Sequence, residues 1–234
     1  MPTAHKTILA ALLAHKGKGT THSSNDRYLK SGHIYHDVSV PIRRQIAKEW
    51  LKENKNISDK EFTAALDGLY RGKSHEEKTV ASILLGYHPG GRRAASLGQI
   101  DGWLDHLAGW AEIDALCGGN FTAAEMLYHW KQWEHFLRKL AKSKNENKRR
   151  AALVFLVGPV GASSDKRILT LAFELIDTLK HEKDIIITKA ISWLLRSAVK
   201  RHKKAVSAYI ARNRDTLPKI AVRETIKKIE TGRK

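Results

Sequence analysis

Apolar residues recur at helical spacing almost from end to end of this chain, and no segment sustains the period-two alternation of a strand. Leu9, Leu12 and Leu13 open the pattern, and Ile42, Ile46 and Trp50 follow Pro41. Phe62, Leu66 and Leu69 follow Ser58, which is placed to cap a helix three residues before Glu61. Further helical stretches are expected around Val80 to Leu84, then over 100–107, 110–117, 123–142, 147–157, 168–180, 185–200, 205–212 and 218–229. Turn-forming residues fall between them: glycines around Lys18, His88-Pro89-Gly90-Gly91, Gly118-Gly119-Asn120, Gly158-Pro159 and the run from Asp215 to Pro218. The pattern predicts an all-α fold of roughly a dozen helices, with units about 35–45 residues apart stacked as antiparallel pairs in a curved solenoid.

Charge narrows what such a solenoid would hold. The 234 residues carry 42 Lys and Arg against 24 Asp and Glu, a formal charge of +18. Residues 1–130 hold 16 basic and 14 acidic side chains, and residues 131–234 hold 26 and 10, so the excess is +2 in the first stretch and +16 in the second. A basic field attracts a polyanion by displacing its condensed counterions, so nucleic acid is the expected partner, with a ribosome or an anionic membrane as lesser readings. A hydrophobic content of 42% supplies a core and excludes an acidic disordered or collagen-like chain. The single cysteine, Cys117, excludes an internal disulfide and a Cys-based zinc site, which suits a reducing cytoplasm. Residues 1–13 lack signal-peptide order, and no apolar run is long enough to span a membrane, so no membrane association is expected.

Three residues stand out of pattern on a helical wheel. Between residues 186 and 200, Ile187, Ala190, Ile191, Leu194 and Ala198 form one apolar stripe, yet Trp193 lies about 120° from its centre beside Lys189, Arg196 and Lys200. An indole among cations can stack on a nucleotide; it can also plug a neighbouring helix. Asp114 follows Trp110 by one turn and, if the helix runs on from Trp103, shares a stripe with Trp103, Leu107 and Ala111. A carboxylate there loses hydration and must be paired, hydrogen-bonded or used, which makes Asp114 the first candidate for chemistry; a capping or surface ion-paired role is the alternative. Arg150 aligns with Leu153, Val154 and Val157, and needs a phosphate or an internal carboxylate as partner, whereas Lys148 and Arg149 turn to the other side.

Other motifs fail. There is no phosphate-binding glycine loop followed by Lys-Ser/Thr, and Gly158-Pro159-Val160-Gly161 reads as a simple interhelical loop. His33 with His36, and His129 with His135, lack zinc-hydrolase spacing, and His75-Glu76-Glu77 lacks a second histidine. The twelve histidines are expected mostly at a solvated surface, with neither a metal nor an organic cofactor implied.

In order along the chain, Arg27-Tyr28-Leu29-Lys30, Pro41-Ile42-Arg43-Arg44, Trp110-Ala111-Glu112-Ile113-Asp114, Arg150-Ala151-Ala152-Leu153 and Lys189-Ala190-Ile191-Ser192-Trp193-Leu194-Leu195-Arg196 resemble the segments of the AlkD family of bacterial alkylpurine DNA glycosylases. The resemblance covers about residues 25–230 and implies one HEAT-like repeat domain over 1–234, with residues 1–20 as a capping helix and loop and a concave basic groove. It departs at Gly109, where the family often has a second tryptophan, and in the regions 118–130 and 158–168.

The resemblance implies a monomeric enzyme, without cofactor or metal, that hydrolyses the glycosidic bond of N3- or N7-alkylated purines in duplex DNA and leaves an abasic site. Asp114 would stabilise the oxocarbenium-like sugar or orient water, Trp110 and Trp193 would flank the deoxyribose, and Arg150 would hold a phosphate. The family's lesion stays near the stack, unlike the flipped base of most glycosylases. Tyr28, Lys148, Arg149, Lys189, Arg196, Lys200, Arg201, Lys203 and Lys204 are the further expected DNA contacts. No lysine is placed as a Schiff-base nucleophile, which points to a monofunctional enzyme. A non-catalytic paralogue binding branched or distorted DNA is the alternative, and a protein-interaction scaffold would need an apolar groove instead of a basic one.

Overall fold

The computed structural model describes residues 3–19 and 26–233; the side chain of Tyr28 lies outside the described residues. Fourteen helices and no strand occur among the described residues, which makes the fold all-α. The chain divides into two compact units, residues 1–116 and 117–234.

In the first unit α1 (Thr3–Ala14) buries Ile8 and Leu12 against α3 (Val40–Glu53) and α4 (Asp59–Tyr70). The short α2 (Asp26–Leu29) precedes a loop, and α5 (His75–Tyr87) packs on α3 and α4. The first unit closes with α6 (Pro89–Ala94), α7 (Leu97–Leu104) and α8 (Gly109–Cys117), whose last residue already falls in the second. Local sequence explains the starts. Ser58, Ser74 and Ser96 each accept from the backbone three residues on, and Glu61, Glu77 and Gln99 reach back to complete capping boxes. Ser58 is the cap read from the sequence; Ser74 caps α5 six residues before Val80, the first apolar position of the expected stretch. The His88 breaker is a joint, ending α5 and capping α6 through its Nδ1, which accepts from Gly91 N–H at 2.8 Å.

The second unit contains α9 (Ala123–Tyr128), α10 (Trp130–Ala141), α11 (Glu146–Ala162), α12 (Lys166–Leu179), α13 (Ile185–Arg212) and α14 (Lys219–Thr231). Its aromatic core sets Phe155 at 5.4 Å from Phe121 and 5.6 Å from Trp133 between ring centroids, both edge-on. Three expectations are corrected here. The stretch 123–142 is two helices, broken at His129, where φ and ψ of −114° and 40° leave the helical region without Gly or Pro to announce it. Gly158-Pro159 is no interhelical loop, because α11 continues through it to Ala162. An interior proline costs about 3 kcal/mol, and close packing on α13 offsets it: a Cβ on Gly161 would stand 3.3 Å from the Ser197 carbonyl oxygen. Residues 185–212 form one helical segment, kinked at His202 (φ −129°, ψ 32°) inside the basic run Lys200 to Lys204, where His202 Nε2 donates to the Ser163 carbonyl at 2.9 Å.

Candidate functional site

The helix that carries Trp110 and Asp114 starts at Gly109, so it does not run on from Trp103. Trp103 belongs to the core instead, stacked on Tyr70 at 4.8 Å with its indole N–H on Asp67. Asp114 therefore shares no stripe with Trp103; the Trp110–Asp114 turn is what remains of that expectation, and both side chains are half-buried. Gly109 has φ +71°, and a Cβ there would lie 2.1 Å from the Leu29 carbonyl oxygen. This close approach explains why glycine stands where the resembled family often has tryptophan.

On α8 the carboxylate withdrawn from water is Glu112, 1% exposed beside Ile113 and Leu116. Its Oε1 accepts from His33 Nδ1 and His75 Nδ1, each at 3.0 Å, and its Oε2 accepts from Ala108 N–H at 3.0 Å. Burial alone pushes this carboxyl up, but the bonds from His33, His75 and Ala108 outweigh it and hold the group below its ordinary value. Nearby, Glu77 accepts from His5 Nε2 at 2.6 Å and from Ser74 Oγ at 2.6 Å, and the Lys78 ammonium, 2% exposed, donates to the carbonyls of Tyr70 and Gly72. The histidine expectation needs correction accordingly. His106, His129, His135 and His181 are exposed, but His5 and His75 are buried and His33 is mostly covered, because each serves an internal carboxylate. Sequence reasoning missed Glu112, although its wheel position beside Ile113 and Leu116 carried the same signal that drew attention to Asp114.

In the second unit, Lys189, Trp193, Arg196, Lys200 and Lys203 succeed one another along one side of α13. Trp193 is half-buried and lines an open cleft of about 680 Å³ with Arg196, Lys200, Lys203, Lys228 and Glu230. Lys189, Lys200, Arg201, Lys203 and Lys204 are exposed. Arg196 is steadied by its own helix, Nε donating to the carbonyl and hydroxyl of Ser192 at 3.2 Å each, with Glu224 at 3.3 Å. Arg150 is 4% exposed and its Nη1 donates to the Ile186 carbonyl in the first turn of α13. Arg149 grips Glu182 through Nε at 2.7 Å and Nη2 at 2.9 Å, and its Nη1 reaches the Ser143 and Lys144 carbonyls. That bidentate bond raises the basicity of Arg149. Lys148 is half-buried.

The profile of the family described as DNA alkylation repair enzyme matches residues 8–229. The chain belongs to the DNA alkylation repair enzyme family. Among solved structures, one described as a predicted DNA alkylation repair enzyme from Enterococcus faecalis superposes with a TM-score of 0.72 at 19% identity, over 91% of this chain and 97% of the other. At that identity the likeness speaks for the fold. No curated protein sequence matches significantly. Family membership makes this an enzyme of alkylation repair and DNA its partner. No helix among the described residues is long and apolar enough to cross a membrane.

Proposed function

We propose that this DNA alkylation repair enzyme is a monofunctional glycosylase acting on cationic alkylpurines, such as N3-methyladenine and N7-methylguanine, in duplex DNA. The observation that carries the reading is the presence of Trp110 and Asp114 one helical turn apart on the half-exposed side of α8, in a member of this family.

The chemistry asks little of an acid. Alkylation has already made the purine a cation, so the C1′–N9 bond breaks with its electron pair passing to the base, which leaves neutral. The sugar then carries the positive charge. A carboxylate stabilises that charge and orients the water that adds to C1′ and gives up a proton, and this is the role assigned to Asp114. The electron-rich faces of Trp110 and Trp193 suit a cationic sugar, and Arg150 is assigned to a phosphate. The exposed cations Lys189, Lys200, Arg201, Lys203 and Lys204 suit the duplex backbone, with Arg196, Lys148 and Tyr28 as further contacts. The same reading takes residues 1–234 as one HEAT-like domain with a concave basic groove, acting as a monomer in the cytoplasm; the packing of helices on their next and next-but-one neighbours within each unit, as α3 on α5 and α11 on α12 and α13, supports the repeat architecture.

The test is a duplex carrying a single N7-methylguanine, incubated with protein and then treated with alkali to cut abasic sites. Cleavage by the wild type that falls at least about 10²-fold in Asp114→Asn, with duplex binding retained, supports the assignment. Equal cleavage by both proteins removes Asp114 from the mechanism. Binding without cleavage by either makes the chain a non-catalytic binder of distorted DNA.

A further inference from the structure

Glu112 sits between Trp110 and Asp114 in sequence but not in space. At about 100° per residue, Trp110 and Asp114 lie about 40° apart, while Glu112 is about 160° from each. One face of α8 is thus half-exposed and carries the two candidate functional side chains, and the opposite face is anchored by a buried carboxylate.

That anchor reaches three separate segments. His33 comes from the loop after α2, His75 from the first turn of α5, and Ala108 from the residues entering α8. The loop is itself fixed. Asp26 Oδ1 accepts from Ser31 N–H at 2.8 Å, Gly32 N–H at 2.9 Å and the Tyr35 hydroxyl at 2.8 Å. Ile34 N–H donates to the Lys73 carbonyl at 3.2 Å, and His75 N–H donates to the Ile34 carbonyl at 2.9 Å. The Tyr35 ring lies 5.2 Å from that of His75. At the start of α8, the Leu29 carbonyl presses on Gly109 so closely that no side chain fits. An ionised carboxylate with three donors and a close backbone contact at Gly109 therefore act together against rotation of α8 about its axis.

We infer that Glu112, held by His33 and His75, is a positioning residue that sets the rotation of α8 and thereby the aim of Trp110 and Asp114. The inference rests on the glycosylase reading for what is being aimed. A misplacement of about 1 Å at a reacting centre costs about 10²-fold in rate, whereas binding spread over many phosphates hardly notices it. A loss confined to the bond-breaking step is the expected signature.

The measurement is single-turnover release of N7-methylguanine at saturating protein, with duplex affinity determined in parallel. His33→Ala removes one donor from a partly exposed side chain and should slow release at least about tenfold while the dissociation constant stays within about threefold. His33→Asn, whose amide N–H₂ can occupy the place of Nδ1–H, should restore release to within about threefold of wild type. Glu112→Gln, which sets an amide N–H₂ against either the histidines or Ala108 N–H, should behave like His33→Ala if circular dichroism shows it folded. Release unchanged in His33→Ala, or lowered equally in His33→Ala and His33→Asn, overturns the positioning role. Should the wild type release no base while binding DNA, the glycosylase reading falls. Hydrogen exchange over 109–114 then decides the anchor: faster exchange in His33→Ala upholds it and unchanged exchange overturns it.

Discussion

The charged side chains withdrawn from water are shared unequally between the two units. His5, Arg43, His75, Glu76, Glu77, Lys78 and Glu112 are buried in residues 1–116, and among the described residues of 117–234 Arg150 is the one counterpart. The second unit buries instead an edge-to-face cluster of Phe121, Trp133, Phe136 and Phe155, under helices rich in Ile, Leu and Val. Its many cations stay outside. Low net charge in the first unit thus does not mean few charges; it means charges matched internally, as in the pairs of His5 with Glu77 and of His33 and His75 with Glu112. The excess of the second unit is available to a polyanion because almost none of it is used to hold the core together. Buried ion pairs contribute less to stability than their geometry suggests, but breaking one is costly.

The largest expected effect breaks the apolar side of this comparison. Phe155→Ala should destabilise the second unit by about 3–5 kcal/mol, read by urea unfolding, and the loss should be nearly the same at pH 3 and pH 7 and at low and high salt. A loss that changed strongly with pH would show that ionised groups support this core after all.

The matching experiment in the first unit is His5→Ala. Burial raises the Glu77 carboxyl, yet the bonds from His5 and from Ser74 overcome this and leave it below its ordinary value. A depressed carboxylate stabilises the fold above its unfolded value, near 4.3, and that contribution is lost as the pH falls through the folded value. His5→Ala should therefore cost about 1–3 kcal/mol at pH 7, and the difference from wild type should shrink by pH 3. A constant deficit would mean that His5 acts through packing alone.

How much of this was legible beforehand follows from how far each partner lies along the chain. The Ser58–Glu61 box is three residues long, and the position of Trp193 outside the α13 stripe depends on its own turn and the next, so both could be read locally. Glu112 could be recognised as buried by its phase with Ile113 and Leu116, but its histidine donors lie 37 and 79 residues away and no spacing rule connects them. The passage of α11 through Pro159 depends on contact with α13, so the local helix-breaking signal misled. The break at His129 had no local signal at all. Gly109 was visible as a departure from the resembled family, and its cause, the Leu29 carbonyl, was not.

Salt sharpens the comparison on the outside of the molecule. With duplex DNA, Lys200→Ala and Lys203→Ala should each reduce the slope of log affinity against log salt by about 1, while Lys60→Ala in the first unit, also exposed, should leave it unchanged. A shift from Lys60→Ala as large as that from Lys200→Ala would place the duplex across the nearly neutral unit too.

The smallest effect tests whether charge in the second unit is free wherever it stands near the surface. Arg149 and Glu182 are 21% and 26% exposed, and their bidentate pair should show a coupling of about 0.2–1 kcal/mol in a double-mutant cycle with Arg149→Ala and Glu182→Gln. An arginine so engaged, with two backbone carbonyls on its remaining nitrogen, has little left for a phosphate. Arg149→Ala should accordingly leave the salt slope of DNA binding where it was, although Arg149 neighbours Lys148 and Arg150 in sequence. A fall of about 1 would show that DNA opens the pair, and Arg149 would then count with Lys200 among the phosphate contacts, its bond to Glu182 holding the guanidinium in place until the duplex arrives.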